Sequence, residues 1–342
     1  MVLKLMRFGV QSRMFSSQLA KTKIGLLGVP YNEGSSKKTI GTALAPELIR
    51  KSGLIKEIVE FNEHVDIKDF GDLAVGEVEL ETTSPKNMQN YSRFMPLMKR
   101  ISEKVQEIRA ENRICVTLGG DHALAVGTIS GQLNASENLS VIYVDAHADI
   151  NTNSTSRSGH IHGMPVSLVV KELSEYWGQL PGFDWQTKKL SLKNVAYIGL
   201  RSVDPMERLI AEKFNIKMLG MEYVDKYGIN KCIEMALDHI DPKNERDYHI
   251  SFDIDALDRH EAPSTGISLA AGLTLREGIS IIEQVFNTGR LRGLDMVELC
   301  PGIGDARDVK TTIDSAIQLI VAASGNKRSG NLPLTQHDIP KN

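Results

Sequence analysis

Short apolar runs alternate with segments of helical periodicity along most of this chain, and this alternation constrains the fold more than any other feature. The apolar runs predict eight β-strands, over residues 24–29, 66–70, 113–118, 139–144, 194–200, 216–219, 249–254 and 293–298. Strands that alternate with helices favour a mostly parallel sheet with helices on both faces. The sequence therefore predicts an α/β fold, in which ligands bind beyond the carboxyl ends of the strands.

Helices are predicted between these strands, over residues 45–52, 85–110, 123–133, 164–173, 205–214, 223–239, 275–287 and 308–323. No repeat, low-complexity tract or linker rich in Pro, Gly and Ser divides this part of the chain. We therefore predict one domain over residues 24–324. A polar, turn-rich tail follows at 325–342, and a segment of different composition precedes the domain at 1–23.

The first 23 residues are basic. They contain five lysines or arginines and no acidic residue, and their apolar residues recur at helical spacing. This composition is typical of a mitochondrial transit peptide, so we expect a protein of the mitochondrial matrix. The alternative is a disordered extension on a cytoplasmic protein.

Composition argues against several other classes of protein. The formal net charge of −3 gives no support for nucleic-acid binding, which usually requires a basic surface, and no apolar run approaches the length of a membrane span. The three cysteines, Cys115, Cys232 and Cys300, form no paired metal-binding motif and are typical of a reducing compartment. We expect no nucleic-acid or membrane partners.

Metal-type ligands follow three of the predicted strands. Asp145, His147 and Asp149 come directly after the fourth strand, and their spacing of two places them on one side of an extended backbone. The fragment GGDH at 119–122 follows the third strand, and DID at 253–255 follows the seventh. Ionisable groups crowded at the end of a buried strand are costly unless something binds them. A divalent cation is the obvious candidate.

Together these strand ends offer four carboxylates and two imidazoles: His122, Asp145, His147, Asp149, Asp253 and Asp255. Four negative charges match two divalent ions, and an oxygen-rich shell without sulfur favours manganese. Two such ions can share a bridging water that loses its proton near neutral pH. Each motif alone has an ordinary explanation, as a helix cap, a tight turn or a packed histidine, but the repetition at three strand ends favours a metal site.

At these residues the chain resembles the arginase (ureohydrolase) family, over about residues 24–323. The resemblance lies in GGDH at 119–122, DAHADIN at 145–151, SFDIDALD at 251–258 and GLDMVE at 293–298. The loop that contains SGHIHG at 158–163 is similar to the arginase branch rather than to agmatinase-like members.

The resemblance implies a three-layer α/β/α sandwich around a mostly parallel, doubly wound eight-stranded sheet. It also implies homotrimers or possible hexamers, two Mn²⁺ per subunit, and hydrolysis of L-arginine to L-ornithine and urea by attack of a metal-bridging hydroxide. In this implied cluster one ion is held by His122 and Asp149, the other by His147 and Asp255, and both by the bridging Asp145 and Asp253.

The resemblance also implies catalytic roles for three side chains. Asp149 holds the hydroxide, Glu298 pairs with the guanidinium group, and His162 shuttles a proton to the leaving nitrogen. The amino-acid end of the substrate is expected to meet five further residues: Asn151, Ser158, His160, Asp204 and Glu207. For Asp204 and Glu207, which open a predicted helix, helix capping is a compatible alternative.

The chain departs from the family pattern near the expected substrate. His160 stands where arginases usually have Asn, and Cys300 replaces a frequent Asn near Glu298. Ile267 replaces a Thr that steadies the guanidinium-pairing Glu, so we expect Glu298 to have one partner fewer. Two alternatives therefore remain: a hydrolase of another guanidino compound, such as agmatine or a guanidino acid, or a low-activity member with a binding or regulatory role.

Overall fold

The computed structural model describes residues 21–330 except positions 36, 63 and 77, and an eight-stranded sheet runs through its centre. The strands are β1 (Thr22–Val29), β2 (Val65–Asp72), β3 (Ile114–Gly119), β4 (Leu139–Val144), β5 (Val195–Ile198), β6 (Lys217–Leu219), β7 (Asp247–Asp253) and β8 (Leu291–Val297). Their order in the sheet is β2-β1-β3-β8-β7-β4-β5-β6, and every pairing is parallel. The predicted α/β fold is confirmed.

Ten α-helices accompany the sheet in the described part of the chain. They are α1 (Ala45–Lys51), α2 (Leu54–Phe61), α3 (Tyr91–Ala110), α4 (Ala125–Ala135), α5 (Pro165–Val169), α6 (Pro205–Phe214), α7 (Met221–Tyr227), α8 (Ile229–Ile240), α9 (Leu275–Asn287) and α10 (Ala306–Ala322). None of the helices in these described residues is both long and apolar enough to cross a membrane.

The observed helices differ from the sequence prediction in several places, and the helix predicted over 164–173 ends already at Val169. The helix predicted over 85–110 begins only at Tyr91, and the one predicted over 223–239 is two helices, because Gly228 adopts a φ of +75° that ends α7. The short helix α2 was not predicted. Its buried residues Leu54 and Ile58 are only one turn apart, which is too short a pattern for a periodicity argument.

The sheet separates two apolar cores, one on each of its faces. In β1, for example, Ile24 and Leu26 belong to one core, whereas Leu27 and Val29 belong to the other, as the two-residue period of a strand requires. Helices α1, α2 and α7–α10 cover the first core, and α3–α6 cover the second. This is the three-layer sandwich expected from the resemblance.

The strand order brings the predicted site together. The four central strands are β3, β8, β7 and β4, and their carboxyl ends meet at one edge because all of them are parallel. The predicted ligands follow β3, β4 and β7, and Glu298 follows β8.

The ends of the chain lie mostly outside the described residues. The predicted transit peptide spans residues 1–23. The structure does not describe residues 1–20, but it describes Lys21 and the first residues of β1, which begins at Thr22. Of the predicted tail, only residues 325–330 are described.

Candidate metal and substrate site

One group of possible metal ligands surrounds His122, in the turn after β3. Its Nδ1 lies 3.0 Å from Asp145 Oδ2, 3.2 Å from Asp149 Oδ2 and 3.2 Å from Asp253 Oδ2. Ligand atoms of His122, Asp145 and Asp149 are close enough together to hold one ion, and all three residues are buried.

A second group shares Asp145 with the first. His147 Nδ1 lies 3.4 Å from Asp145 Oδ1 and 3.2 Å from Asp255 Oδ2. These three side chains could hold a second ion. The structure therefore brings together all six residues predicted as ligands, in two groups that meet at one carboxylate.

The polar atoms of this cluster suit a cation. His122 Nδ1 and Asp145 Oδ2 are buried without a hydrogen-bond partner in the described residues, although they lie close to each other. Burial and the neighbouring carboxylates Asp149 and Asp255 raise the pKa of Asp145 to about 6. Bound cations would relieve both the repulsion and the missing contacts, so the residues fit a metal cluster.

The capping explanation for the DID fragment also holds, without excluding the metal. Asp253 Oδ1 accepts a hydrogen bond of 2.8 Å from the Asp255 amide and so caps the short helical turn Ile254–Ala256. Its other oxygen faces His122. One carboxylate thus shapes the turn and lines the cluster at once.

Two residues of the site have backbone conformations that side-chain-bearing residues rarely adopt. Asp149 has a φ of +50° and Glu298 a φ of +61°. Such strain persists only where the surroundings impose it, and it concentrates at functional sites. At Asp149 the Tyr143 hydroxyl donates a hydrogen bond of 2.9 Å to Oδ2 and fixes the carboxylate.

Glu298 and His162 form a pair beside the cluster. Glu298 Oε1 lies 3.0 Å from His162 Nδ1 and accepts a hydrogen bond of 2.9 Å from the His122 amide. Burial alone would lower the pKa of His162, but the hydrogen bond and charge of Glu298 raise it to about 9. With this raised pKa, the His162 imidazole is protonated at neutral pH.

A cavity of about 390 Å³ opens above the cluster. Of the cluster it reaches His147, Asp149, Asp253 and Asp255. It is also lined by both members of the Glu298–His162 pair and by all five predicted substrate contacts, Asn151, Ser158, His160, Asp204 and Glu207. Its volume suits a small molecule.

Glu207 has a structural role that the capping alternative anticipated. Its carboxylate accepts hydrogen bonds from the Asp204 amide at 3.0 Å and the Ile150 amide at 3.1 Å. It thereby ties the start of α6 to the loop after Asp149. Burial raises the pKa of Glu207 to about 7. Asp204 is the other member of this capping box, and it also lines the cavity, where its Oδ2 accepts a hydrogen bond of 3.3 Å from Asn151.

Two residues that organise the site were not predicted. The Arg201 guanidinium donates to the carbonyl oxygens of Asp255 at 2.7 Å and Leu257 at 3.1 Å, and so holds the segment after β7. Asp121 accepts hydrogen bonds from the amides of Gly34 and Ala123. Arg201 lies just after the fifth predicted strand and Asp121 lies within GGDH, but nothing in the sequence indicates which backbone groups they contact.

Comparison with known proteins agrees with this geometry. The family model described as "Arginase family" matches residues 22–325. The chain belongs to the arginase family. It is 40% identical to the hepatic arginase of Aquarana catesbeiana over 92% of this chain and 96% of the relative, and 39% identical to arginase-1 of Homo sapiens over 93% and 98%. The mitochondrial arginase-2 of Mus musculus is 40% identical, over 92% of this chain and 88% of the relative.

Solved arginases have the same fold. The arginase from Bacillus caldovelox superposes with a TM-score of 0.79 at 29% identity, covering 90% of this chain and 99% of that one. A formimidoylglutamase from Bacillus subtilis subsp. subtilis has a TM-score of 0.69 at 19% identity, which shows a shared fold alone. Membership of the arginase family makes this chain a hydrolase, as the sequence predicted.

Two residues expected from the sequence to depart from the arginase pattern lie on the cavity wall. The His160 ring is centred 5.9 Å from that of His162, and burial together with the charge of His162 lowers the pKa of His160. Ile267 lines the cavity with 47% of its surface exposed. Glu298 receives its hydrogen bonds from the His122 amide and His162, so these groups hold the carboxylate independently of position 267.

Proposed function

We propose that this chain hydrolyses L-arginine to L-ornithine and urea with the help of two manganese ions. The observation that carries the proposal is the pair of His/Asp groups that share Asp145 at the floor of a cavity, with Glu298 and His162 beside them. Relatives that are named arginases, and that match this chain over almost their whole length, support the same reaction.

The ions are assigned from the two groups of ligands. One ion would be held by His122 and Asp149, the other by His147 and Asp255, and both by Asp145 and Asp253. Carboxylate and imidazole ligands without sulfur suit manganese. When bound, such ions supply a water that loses its proton near neutral pH.

Glu298 orients the guanidinium group in this proposal. One of its oxygens is occupied by the His122 amide and His162, which leaves the other for the planar N–H fork of the substrate. Because Glu298 follows β8 at the centre of the sheet, the guanidinium carbon is held above the cluster. Orientation of this kind matters because a guanidinium cation is a poor electrophile.

His162 supplies the proton that the reaction needs. Water adds to the guanidinium carbon, the bond from that carbon to the side-chain nitrogen breaks, and the nitrogen leaves as an amine only if it gains a proton. The pKa of His162 is raised to about 9 by Glu298 against the effect of burial, so the imidazole carries a proton at neutral pH.

The remaining cavity residues fit the amino-acid end of arginine. Asp204 offers a carboxylate to the α-ammonium group, while Glu207 supports it by fixing the start of α6. Asn151, Ser158 and His160 offer donors on the same wall for the α-carboxylate. A substrate with both groups would use all of these contacts.

We also propose that the protein is a homotrimer of the mitochondrial matrix. The location is supported by the basic, acid-free N-terminal segment and the similarity to mitochondrial arginase-2 of Mus musculus and Rattus norvegicus. The trimer is what the resemblance to the arginase family implies. Fusing residues 1–23 to a fluorescent reporter tests the location, since import requires the segment to act by itself. Light scattering of the purified protein tests the assembly.

Urea release tests the reaction. Protein incubated with manganese is supplied with L-arginine, agmatine or guanidinobutyrate in parallel. We expect release from arginine, and we expect Asp204→Asn to reduce it far more than any release from guanidinobutyrate, which lacks the ammonium group that Asp204 would face. Release from another guanidino compound alone, or none from a protein with two ions bound, would refute arginine hydrolysis and favour the alternatives.

A further inference from the structure

A line of buried polar side chains lies behind the metal cluster, inside the sheet. Its centre is Asp295 of β8, which has no solvent-accessible surface. Asp295 Oδ2 accepts a hydrogen bond from Thr128 Oγ1 at 2.6 Å and lies 2.9 Å from His249 Nε2 and 3.3 Å from Ser251 Oγ. Nothing in the reaction proposed above uses these residues.

Ser251 connects this line to the cluster. Its Oγ lies 3.0 Å from His122 Nε2, on the side of the ring opposite to Nδ1, which faces the three aspartates. His122 is fully buried, so both ring nitrogens must find partners within the protein or in a bound ion.

The chemistry of the groups fixes the direction of each hydrogen bond. An ionised carboxylate only accepts, and burial, which would raise the pKa of Asp295, is outweighed by His249, so its pKa stays below the usual range. The Ser251 hydroxyl must therefore donate its hydrogen to Asp295. Its lone pairs then remain to accept a hydrogen from His122 Nε2.

We propose that Asp295 and Ser251 are positioning residues that keep His122 in the tautomer with hydrogen on Nε2, so that the bare Nδ1 is presented to a metal ion. The proposal rests on the assignment of His122 as a ligand in the function proposed above. It adds the groups that determine which ring nitrogen binds the ion. In metal-ligating histidines this is usually determined by an acceptor that receives a hydrogen bond from the other ring nitrogen.

Packing around His122 fixes the plane of its ring, because the imidazole is stacked on Tyr143 with ring centroids 4.5 Å apart and planes inclined by 10°. A half-turn about the Cβ–Cγ bond would keep this stacking but would exchange each ring nitrogen with a carbon. The hydrogen bond to Ser251 at Nε2 therefore favours the orientation in which Nδ1 faces the aspartates. Gly293 leaves space for these buried side chains, because a Cβ atom at this position would lie only 2.4 Å from His249 Nδ1.

Manganese titration of the metal-depleted, full-length protein tests the proposal. In Ser251→Ala we expect one of the two binding steps to weaken about 10- to 100-fold, because His122 serves one ion only, and the other step to stay within about twofold. A residue with a merely structural role would weaken both steps or neither.

Two variants serve as matched controls. Ser140→Ala removes an equally buried strand hydroxyl, which donates to the Ile240 carbonyl away from the cluster. Thr128→Val removes a donor to the same Asp295 oxygen without touching the path to His122. We expect both controls to bind two ions as tightly as the wild type, and circular dichroism to show that all three variants are folded.

The outcomes separate this proposal from the proposed function. If the wild type binds two ions and releases urea but Ser251→Ala binds both as tightly, or if Thr128→Val loses the same step, the positioning role is wrong and the function stands. If the wild type binds no manganese, both are wrong. A crystal structure of the manganese-loaded wild type decides the matter without any variant: Nδ1 on the ion supports the proposal, and Nε2 on the ion overturns it.

Discussion

Replacing Arg201 should destabilise the protein although it lies outside the set of candidate ligands. Its guanidinium donates to the carbonyl oxygens of Asp255, Ala256 and Leu257, all of which are buried residues, and to the more exposed Leu269 and Ala270. The Ala256 oxygen keeps a second donor, the Leu273 amide. Water can reach Leu269 and Ala270, so two buried carbonyls lose their partner.

The size of the effect follows from these two carbonyls. A buried acceptor that loses its donor costs about 1–3 kcal/mol, so for two carbonyls we expect Arg201→Met to lower the free energy of unfolding by about 2–6 kcal/mol. Because the segment that carries Asp255 is loosened, manganese should also bind more weakly.

Denaturant unfolding at one fixed protein concentration measures this change, with Arg208→Met as the matched control. Arg208 is a solvent-exposed arginine whose partner Glu212 is also exposed, and such pairs contribute about 0–1 kcal/mol. If the two variants unfold within about 0.5 kcal/mol of each other, the Arg201 contacts do not stabilise the segment and the reasoning is wrong.

Three further predictions concern the site and its supports. Glu298→Gln keeps the shape but removes the charge that faces the guanidinium, and should lower kcat/KM for arginine about 10- to 100-fold in a urea assay without loss of folding; an unchanged value contradicts the pairing role. Gly120→Ala would place a Cβ 1.6 Å from the Tyr31 carbonyl oxygen and should cost about 3 kcal/mol of stability, whereas Gly178→Ala, with open space around it, should cost far less in the same melting experiment. In metal-depleted protein the pKa of His162 is raised from 6.5 to about 9, so its pairing stabilises the fold fully below pH 6.5 and is lost as pH rises through 9. His162→Gln should remove this part of the pH dependence of unfolding, and an identical pH profile would exclude it.

The sequence by itself determined which side chains could form the site. Asp145, His147 and Asp149 share a face because side-chain direction alternates along an extended chain, a local property that needs no tertiary information. The strands were also predictable, because most of them are short buried runs separated by helical segments. The start of α3 and the break at Gly228 were not, since helix ends depend on single residues whose backbone conformation the sequence does not display.

The tertiary structure decided which of these side chains meet. β3 and β8 are far apart in the chain, but they are neighbours in the sheet, and this places Glu298 against the amide of His122. The line from Asp295 through Ser251 to His122 likewise joins three strands or their ends. No local sequence pattern around His249 or Asp295 predicts that these two side chains contact each other. Hydrogen bonds between strands depend on sheet order and register, which are set by long-range packing rather than by any stretch of the chain alone.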